Sequence, residues 1–256
     1  MRRKSKWRLP VNSYERFAEV YDALMEDVPY EKYVDWVASY APSSEYPILL
    51  DVGCGTGTLS ILFRQAGYKV SGIDLSESML AIAELRAQEA GLSIPFYQMS
   101  MDELEGFSDV DAVVIPIDSI NYLGEEHQVK ETFNRIYSSL RKGGQLFFDV
   151  HSLHKMNHIF LQSPFMYDDG EIVYLWTTEK GDVEHSIIHD IIFFVLDEST
   201  GLYERFDEQH FQRTFPIETY EAWLKEAGFS QVVVTADWEN QLPNKESERI
   251  FIRAVK

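Results

Sequence analysis

The chain has 256 residues, of which 45% are hydrophobic and 25% are charged, as in a globular protein large enough to bury a core without disulfides or metal. Its single cysteine excludes an internal disulfide, and the lack of 18 consecutive uncharged apolar residues argues against a membrane-spanning helix. The net charge of −19 disfavours a nucleic-acid partner, because affinity for phosphate backbones comes mainly from Lys and Arg, and we therefore expect a small-molecule substrate. With a single cysteine, the protein is expected to be cytoplasmic.

A basic, flexible terminus is expected over residues 1–12, because residues 2–8 contain five Lys or Arg and no apolar run follows that would make a secretory signal. A nucleic-acid-binding arm is the alternative interpretation of this segment. Residues 13–42 predict a helical lid, since their aromatic and aliphatic side chains recur at spacings of three and four. Val28-Pro29 interrupts that spacing, so the lid should consist of two short helices.

From residue 48 onward, apolar runs that suit buried parallel strands alternate with helical patterns. The predicted strands are 48–52, 69–73, 94–98, 112–117 and 145–149, and the predicted helices are 57–66, 76–91 and 125–140. After a further helix over 217–227, the predicted strands 232–236 and 250–255 bring the total to seven. This alternation predicts an α/β fold with a doubly wound, mostly parallel sheet that binds its ligand at the carboxyl ends of the strands.

The alternation is interrupted after residue 149. Three extended runs, at 172–178, 187–196 and 203–215, are joined by short polar segments with hairpin chemistry. They predict an antiparallel β-meander, inserted within residues 150–215 of a single domain that spans 13–256. We expect this inserted sheet to lie on the substrate side.

The most informative segment is Leu49-Leu50-Asp51-Val52-Gly53-Cys54-Gly55-Thr56-Gly57, between a strand and a helix. Alternate glycines let the backbone turn sharply and approach a ligand closely. A nicotinamide fingerprint would need glycine where Thr58 stands, and a phosphate-binding loop would need a lysine that is absent here. Asp51 would repel a pyrophosphate but would suit an ammonium group.

Asp74 stands at the end of the second predicted strand, where a carboxylate can accept hydrogen bonds from both hydroxyls of a ribose. Together with Asp51 and the glycine turn, it indicates a ligand that has a ribose and a positive centre but no phosphate. S-adenosylmethionine has these properties.

Three segments carry a resemblance to a known family: residues 51–57 preceded by two leucines, the run Gly72-Ile73-Asp74-Leu75-Ser76-Glu77-Ser78-Met79-Leu80, and residues 140–146. Over residues 13–256 the chain resembles the class I S-adenosylmethionine-dependent methyltransferases. The resemblance implies that S-adenosylmethionine is the cofactor, and it implies a role for each of the following residues. Asp51, Gly53, Gly55 and Gly57 would line the methionine end, Asp74 would bind the ribose, Leu75 and Met79 would flank the adenine, and the backbone at Ser100-Met101 would meet the adenine amino group.

The resemblance further implies that Asp118, after the fourth strand, lies between cofactor and substrate, and that Tyr14 in the lid closes over the cofactor. Tyr122 and His151 are the predicted catalytic residues, since His151 follows the fifth strand and is the best-placed imidazole to accept a proton. A core histidine is the alternative interpretation of His151.

No metal site is predicted. His185 and His189 share a face of a predicted strand, but a third ligand is missing, so both are interpreted as exposed polar residues of that strand. The favoured function is transfer of a methyl group to an amine or hydroxyl of a small molecule. The alternatives are methylation of tRNA or protein, which would need a basic strip, and a non-catalytic module that binds S-adenosylmethionine. The sequence carries no signal for the oligomeric state.

Overall fold

The computed structural model describes Met25, residues 28–238 and residues 241–256. The expected basic terminus, Tyr14 and the first lid helix lie outside these residues. The second helix predicted for residues 13–42 is present as α1 and begins directly after Pro29, while its role in a lid stays a prediction. The described α-helices are α1 (Tyr30–Tyr40), α2 (Thr58–Gln65), α3 (Glu77–Glu89), α4 (Glu126–Ser139) and α5 (Ile217–Ala227).

The described ranges also form eleven strands, which divide into two sheets. In chain order they are β1 (Ile48–Val52), β2 (Lys69–Asp74), β3 (Phe96–Gln98), β4 (Val110–Ile115), β5 (Leu140–His151), β6 (Phe165–Asp168), β7 (Ile172–Lys180), β8 (Ser186–Asp197), β9 (Leu202–Arg213), β10 (Gln231–Ala236) and β11 (Arg249–Val255).

The central sheet has seven strands in the order β10-β11-β5-β4-β1-β2-β3. β11 runs antiparallel to both of its neighbours, and the pairings among β1 to β5 are parallel. The prediction of a doubly wound, mostly parallel seven-stranded sheet is therefore confirmed. Its order reverses between β1 and β4, and in sheets of this kind ligands bind in the crevice at such a reversal.

Helices cover both faces of the central sheet, which explains why β4 is buried along its whole length. On one face, Phe133 of α4 and Leu224 of α5 belong to the core, and on the other, Val37 of α1 and Phe63 of α2 do so. The sequence also encodes the helix ends. The hydroxyl of Ser76 caps α3 by accepting a hydrogen bond from the backbone N–H of Met79 at 3.3 Å.

The second sheet is an antiparallel meander in the order β6-β7-β8-β9. The predicted insertion is present, but the prediction of three strands was wrong because β6 adds a fourth. β6 is only four residues long, so no alternating pattern could have revealed it. This sheet meets the central one near the ends of β4 and β5, where the hydroxyl of Thr214 donates to the His151 carbonyl at 2.7 Å.

No helix within the described ranges is both long and apolar enough to span a lipid bilayer.

Candidate active site

The glycine turn after β1 has the backbone that the sequence predicts. Gly53 and Gly55 have φ angles of +74° and +53°, in the left-handed region that favours glycine. A Cβ atom on Gly53 would lie 2.7 Å from Cβ of Ser119, so the turn is also too crowded there for any side chain. The backbone N–H of Gly55 donates to the Asp74 carboxylate at 2.8 Å, which joins the ends of β1 and β2.

A cavity of about 800 Å³ extends from this turn to the inner face of the second sheet. Its volume is typical of sites that enclose small molecules or cofactors. One half is bordered by the glycine turn, the end of β2 and the segment after β3, and the other by β5, β8, β9 and the start of β11. Of the residues that the sequence predicts to bind the cofactor or to act in catalysis, those that line it are Gly53, Gly55, Asp74, Leu75, Met79, Ser100, Met101, Asp118, Tyr122 and His151.

Two residues expected at the methionine end, Asp51 and Gly57, lie behind the cavity wall. Gly57 begins α2, and a Cβ atom there would lie 2.8 Å from Cβ of Ala83. The glycine therefore allows α2 and α3 to pack closely.

Asp51 is fully buried because it belongs to a strand that is covered on both faces. Its Oδ2 accepts a hydrogen bond from the Ser60 hydroxyl at 2.6 Å, while its Oδ1 has no partner among the described residues. Burial raises the pKa of Asp51 to about 7, against the opposing effect of the Ser60 hydrogen bond. Asp51 can therefore change its charge near neutral pH, and an ammonium group nearby would favour the charged form.

The carboxylate of Asp74 already accepts two backbone hydrogen bonds, from Gly55 and from Ser76, each at 2.8 Å. Each oxygen retains a further lone pair for a ligand hydroxyl. The next side chain, Leu75, is 67% exposed at the cavity wall.

The segment after β3 is fixed by side chains. The Ser100 hydroxyl donates to Asp102, whose second oxygen accepts a hydrogen bond from the Gln128 amide at 3.2 Å. Ser100, Met101 and Gln128 line the cavity, whereas Asp102 is engaged in holding the segment.

The turn after β4 has two successive left-handed residues, Ile117 at φ +53° and Asp118 at φ +48°. This conformation is unfavourable for a β-branched residue such as Ile117, and strain of this kind tends to occur at functional sites. The predicted strand over 112–117 therefore ends earlier, at Ile115. Asp149 of β5 stabilises the turn by accepting the backbone N–H of Ile117 at 2.7 Å and that of Asp118 at 3.1 Å.

Arg249, the first residue of β11, pairs with both carboxylates at this turn. Its Nη2 lies 2.9 Å from Asp118 Oδ1, and its Nη1 donates to Asp149. Although burial raises the pKa of Asp118, His151 and Arg249 together hold it well below its usual range. Asp118 is therefore a fixed negative charge at the boundary between the two halves of the cavity.

His151 is the neighbour that Asp118 orients. Its Nε2 lies 3.1 Å from Asp118 Oδ2, and burial lowers the pKa of the imidazole against the opposing effect of Asp118. Since an ionised carboxylate can only accept, Nε2 carries the proton, and in the neutral ring Nδ1 then has a free lone pair. Nδ1 has no partner among the described residues.

The second sheet contributes a further set of polar side chains. Gln212 of β9 donates to Asp118 at 2.8 Å. His210 lies 2.9 Å from Glu208 through Nε2 and 3.5 Å from the Tyr122 hydroxyl through Nδ1. Tyr122 is 52% exposed, and desolvation inside the cavity, with Asp118 and Glu208 nearby, raises the pKa of its hydroxyl.

The interpretation of His189 as an exposed strand residue was wrong. The side chain is 3% exposed, lines the cavity, and accepts a hydrogen bond from the Trp176 indole at 3.1 Å. Burial lowers its pKa to about 4, so the ring is neutral at neutral pH. The described residues contain no cluster of three or more His, Cys, Asp or Glu that could hold a metal ion.

Sequence reasoning missed Arg249, Asp149 and Lys155. None of them belongs to a local motif. The available signal in the sequence was a charged residue at or next to the end of a predicted strand. Its spacing from other residues does not show which of them it contacts in the fold.

Similarity to known proteins agrees with this geometry. The methyltransferase domain family matches residues 49–144. A Geobacillus sp. (strain WCH70) protein that carries the name methyltransferase is 46% identical over 248 residues, covering 95% of this chain and 100% of that protein. Among solved structures, an S-adenosylmethionine-dependent methyltransferase from Clostridium acetobutylicum ATCC 824 has a TM-score of 0.84 and 29% identity, over 95% of this chain and 99% of that one.

CalS10 of Micromonospora echinaspora, an amino pentose methyltransferase solved with S-adenosylmethionine bound, shares the fold with a TM-score of 0.68 and 17% identity, over 97% of this chain and 99% of that one. The fold and the site thus define a class I methyltransferase. The chain belongs to the S-adenosylmethionine-dependent methyltransferase family, and S-adenosylmethionine is its cofactor.

Proposed function

We propose that the protein transfers a methyl group to an amine nitrogen or a hydroxyl oxygen of a small molecule bound beneath the second sheet, and that His151 accepts the proton which the nucleophile loses. The observation that carries this proposal is the Asp118–His151 pair, which lies in one cavity with the glycine turn. CalS10, which shares the fold, acts on an amino sugar, and this supports a small acceptor.

The residues that would hold the cofactor fit its chemistry. The glycine turn leaves no room for a Cβ atom at Gly53, the charge of the Asp51 carboxylate behind the turn would favour an ammonium group in the cavity, and Asp74 suits ribose hydroxyls. Leu75, Met79 and Met101 offer apolar surface to an adenine, with the Ser100 backbone beside them. When bound, S-adenosylmethionine supplies a methyl group on a positively charged sulfur, which is the reactive part of the chemistry.

The protein's contribution to the reaction is position and proton transfer. Holding a nucleophile in line with the methyl group can contribute on the order of 7–11 kcal/mol to the rate. A hydroxyl or ammonium group at neutral pH must also lose a proton, and the bare Nδ1 of His151 is an acceptor for it. Asp118 holds the ring in the required tautomer and stabilises the imidazolium that forms.

Arg249 and Asp149 are positioning residues in this scheme. They keep Asp118 in its left-handed conformation, so that one oxygen faces Arg249 and the other faces His151 and Gln212. Tyr122, half exposed in the same cavity, would contact the acceptor molecule and limit the access of water.

The test uses S-adenosylmethionine labelled in the methyl group and a metabolite extract as the source of acceptor. We expect label in small molecules, and we expect His151→Gln to lower the rate about 10²- to 10⁴-fold while leaving the affinity for S-adenosylhomocysteine within about twofold. His127→Gln, an exposed histidine on α4, is the control and should behave as the unmodified protein. The rate should fall as the pH drops through the lowered pKa of His151, since an imidazolium cannot accept a proton.

Three results would contradict the proposal. Label in RNA or protein would favour a macromolecular acceptor, and no transfer at all would favour a non-catalytic binding module. Full activity of His151→Gln would remove His151 from the mechanism.

A further inference from the structure

Among the described residues, five side chains that carry a formal charge line the cavity: Asp74, Asp118, Lys155, Glu208 and Arg249. Four of them are matched within the protein. Asp74 accepts two backbone hydrogen bonds, Glu208 contacts His210, and Arg249 pairs with Asp118. In the part of the chain that the structure describes, the ammonium group of Lys155 has neither a hydrogen-bond nor an ion-pair partner.

Lys155 lies in the half of the cavity that is bordered by β5, β8, β9 and β11. We assign this half to the substrate and call it the substrate half. It is four residues beyond His151, where a short helical segment begins, and its backbone N–H donates to the Ser152 hydroxyl at 3.0 Å. Its Nζ atom stands 5.4 Å from the centre of the Phe160 ring. The rings of His151 and His189 both pack edge-to-face against Phe160. Their centroids lie 5.0 and 4.9 Å from the centroid of the Phe160 ring.

An unmatched cation in such a place is unfavourable for the protein alone. Burial lowers the pKa of Lys155, and the neighbouring Arg249 lowers it further, against the opposing effects of the more distant carboxylates of Asp118, Glu248 and Asp149, none of which forms an ion pair with it. Buried charges in proteins are normally paired, so a lysine that lines a ligand cavity without a partner suggests that the ligand supplies the partner.

A second polar group nearby is also unmatched. Because His189 Nδ1 accepts the Trp176 indole N–H, the neutral ring carries its proton on Nε2. That Nε2 is buried and has no hydrogen-bond partner among the described residues. The substrate half therefore offers a cation at Lys155, an N–H donor at His189 and a proton acceptor at His151, all around Phe160.

We propose that the methyl acceptor is a small acid, a carboxylate or a phosphate monoester, whose anionic group binds to Lys155 while its amine or hydroxyl faces His151. This inference rests on the proposed function, because it assigns the substrate class of the same site. The anionic group is the handle and is not methylated. His189 Nε2 donates to a further acceptor atom of the substrate.

The experiment separates a metabolite extract by anion exchange at about pH 11, where amines are uncharged and an amino acid carries a net negative charge, into an acidic pool and a pool of neutral and cationic molecules. Each pool is incubated with the protein and methyl-labelled S-adenosylmethionine. We expect transfer in the acidic pool, and the product should still bind the anion exchanger because its anionic group is intact. Treatment of the acidic pool with a phosphatase separates the two sources, since it removes the acceptor if the handle is a phosphate and leaves it if the handle is a carboxylate.

Variants connect this result to Lys155. At low acceptor concentration Lys155→Met should lower the transfer at least tenfold through a higher KM, and Lys155→Arg should restore most of it. Both variants should bind S-adenosylhomocysteine normally, which shows that they are folded. Lys180→Met, which changes an exposed lysine at the end of β7, is the matched control.

The outcomes distinguish the inference from the function on which it rests. Transfer only in the neutral and cationic pool, a product that no longer binds the exchanger, or equal transfer by Lys155→Met overturns the acid handle and leaves methyl transfer intact. Absence of transfer in both pools overturns the proposed function and the acid handle with it.

Discussion

The two halves of the cavity are built in different ways. The half that we assign to the cofactor is formed by neighbouring segments of chain at the ends of β1 and β2, and its shape depends on backbone conformation at Gly53 and Gly55. The other half is formed by side chains that are distant in sequence, such as Asp118 and Arg249, which are 131 residues apart. A shared cofactor can be recognised by a local motif, whereas a particular substrate requires contacts that only the fold brings together.

The largest change in binding should follow from a change to the backbone of the cofactor half. Gly53→Ala adds a Cβ atom 2.7 Å from that of Ser119, so the turn must move, and a displacement of about 1 Å can cost on the order of 100-fold. We expect such a loss of affinity for S-adenosylhomocysteine, measured by calorimetry. Gly91→Ala is the matched control, because Gly91 has a similar φ of +69° but no atom within 4 Å of the added Cβ. Equal affinities in the two variants would show that the turn does not shape the cofactor half.

A smaller effect should appear in the pH dependence of the same half. Since the pKa of Asp51 is about 7, its carboxylate is lost as the pH falls, and the affinity for the ammonium-bearing S-adenosylhomocysteine should drop about tenfold between pH 8 and pH 6. Asp51→Asn should bind about tenfold more weakly at pH 8 and show a flat profile. Methylthioadenosine, which lacks the ammonium group, should bind with little pH dependence to both proteins.

Ionisation of Asp51 should strengthen the binding of S-adenosylhomocysteine but destabilise the fold when no ligand is bound. A carboxyl whose folded pKa is raised stabilises the fold below its unfolded pKa, and that contribution is lost as the pH rises through about 7. Asp51→Asn should therefore raise Tm at pH 8 relative to the unmodified protein when no ligand is bound. A lower Tm at pH 8 would mean that the carboxylate is compensated in the folded state.

The smallest change in binding is expected for Tyr122, in the half of the cavity that we assign to the substrate. Tyr122→Phe removes a hydroxyl that lies 3.5 Å from His210, and the loss of one such hydrogen bond corresponds to about a 2- to 10-fold change. We expect this change in KM for the acceptor, with unchanged affinity for S-adenosylhomocysteine. If turnover at saturating acceptor fell instead by about two orders of magnitude, as on loss of a general acid or base, Tyr122 would be part of the proton transfer.

Local pattern was enough to predict the central sheet. The glycines, the caps and the apolar runs each depend on neighbours in sequence, so β1, β2 and the helix after Ser76 could be predicted. The four residues of β6 were too few for an alternating pattern. His189 was misinterpreted because a polar residue in a strand is usually exposed, whereas in the fold its ring packs against Phe160 and Trp176 and is buried.

The cluster around Asp118 could not be predicted for a different reason. The cluster forms only when β4, β5 and β11, which are distant in sequence, come together in the fold. In the sequence, neither Arg249 nor Asp149 differs in type or spacing from an ordinary surface charge. The first half of the lid, with Tyr14, stays a prediction.

Contacts of the turn after β4 also limit which segments of this protein could be exchanged with those of a relative. Asn121 donates to the Arg213 carbonyl at 2.7 Å and accepts from the His151 backbone at 3.0 Å, while Asp118 accepts from Gln212. A chimera that exchanged only residues 165–213 would lose the bond from Asn121 to Arg213 and the bond from Gln212 to Asp118, unless the incoming sheet supplied an equivalent acceptor and donor. The inserted sheet and the turn after β4 are therefore coupled through side-chain contacts. We expect that a new acceptor specificity requires changes in both.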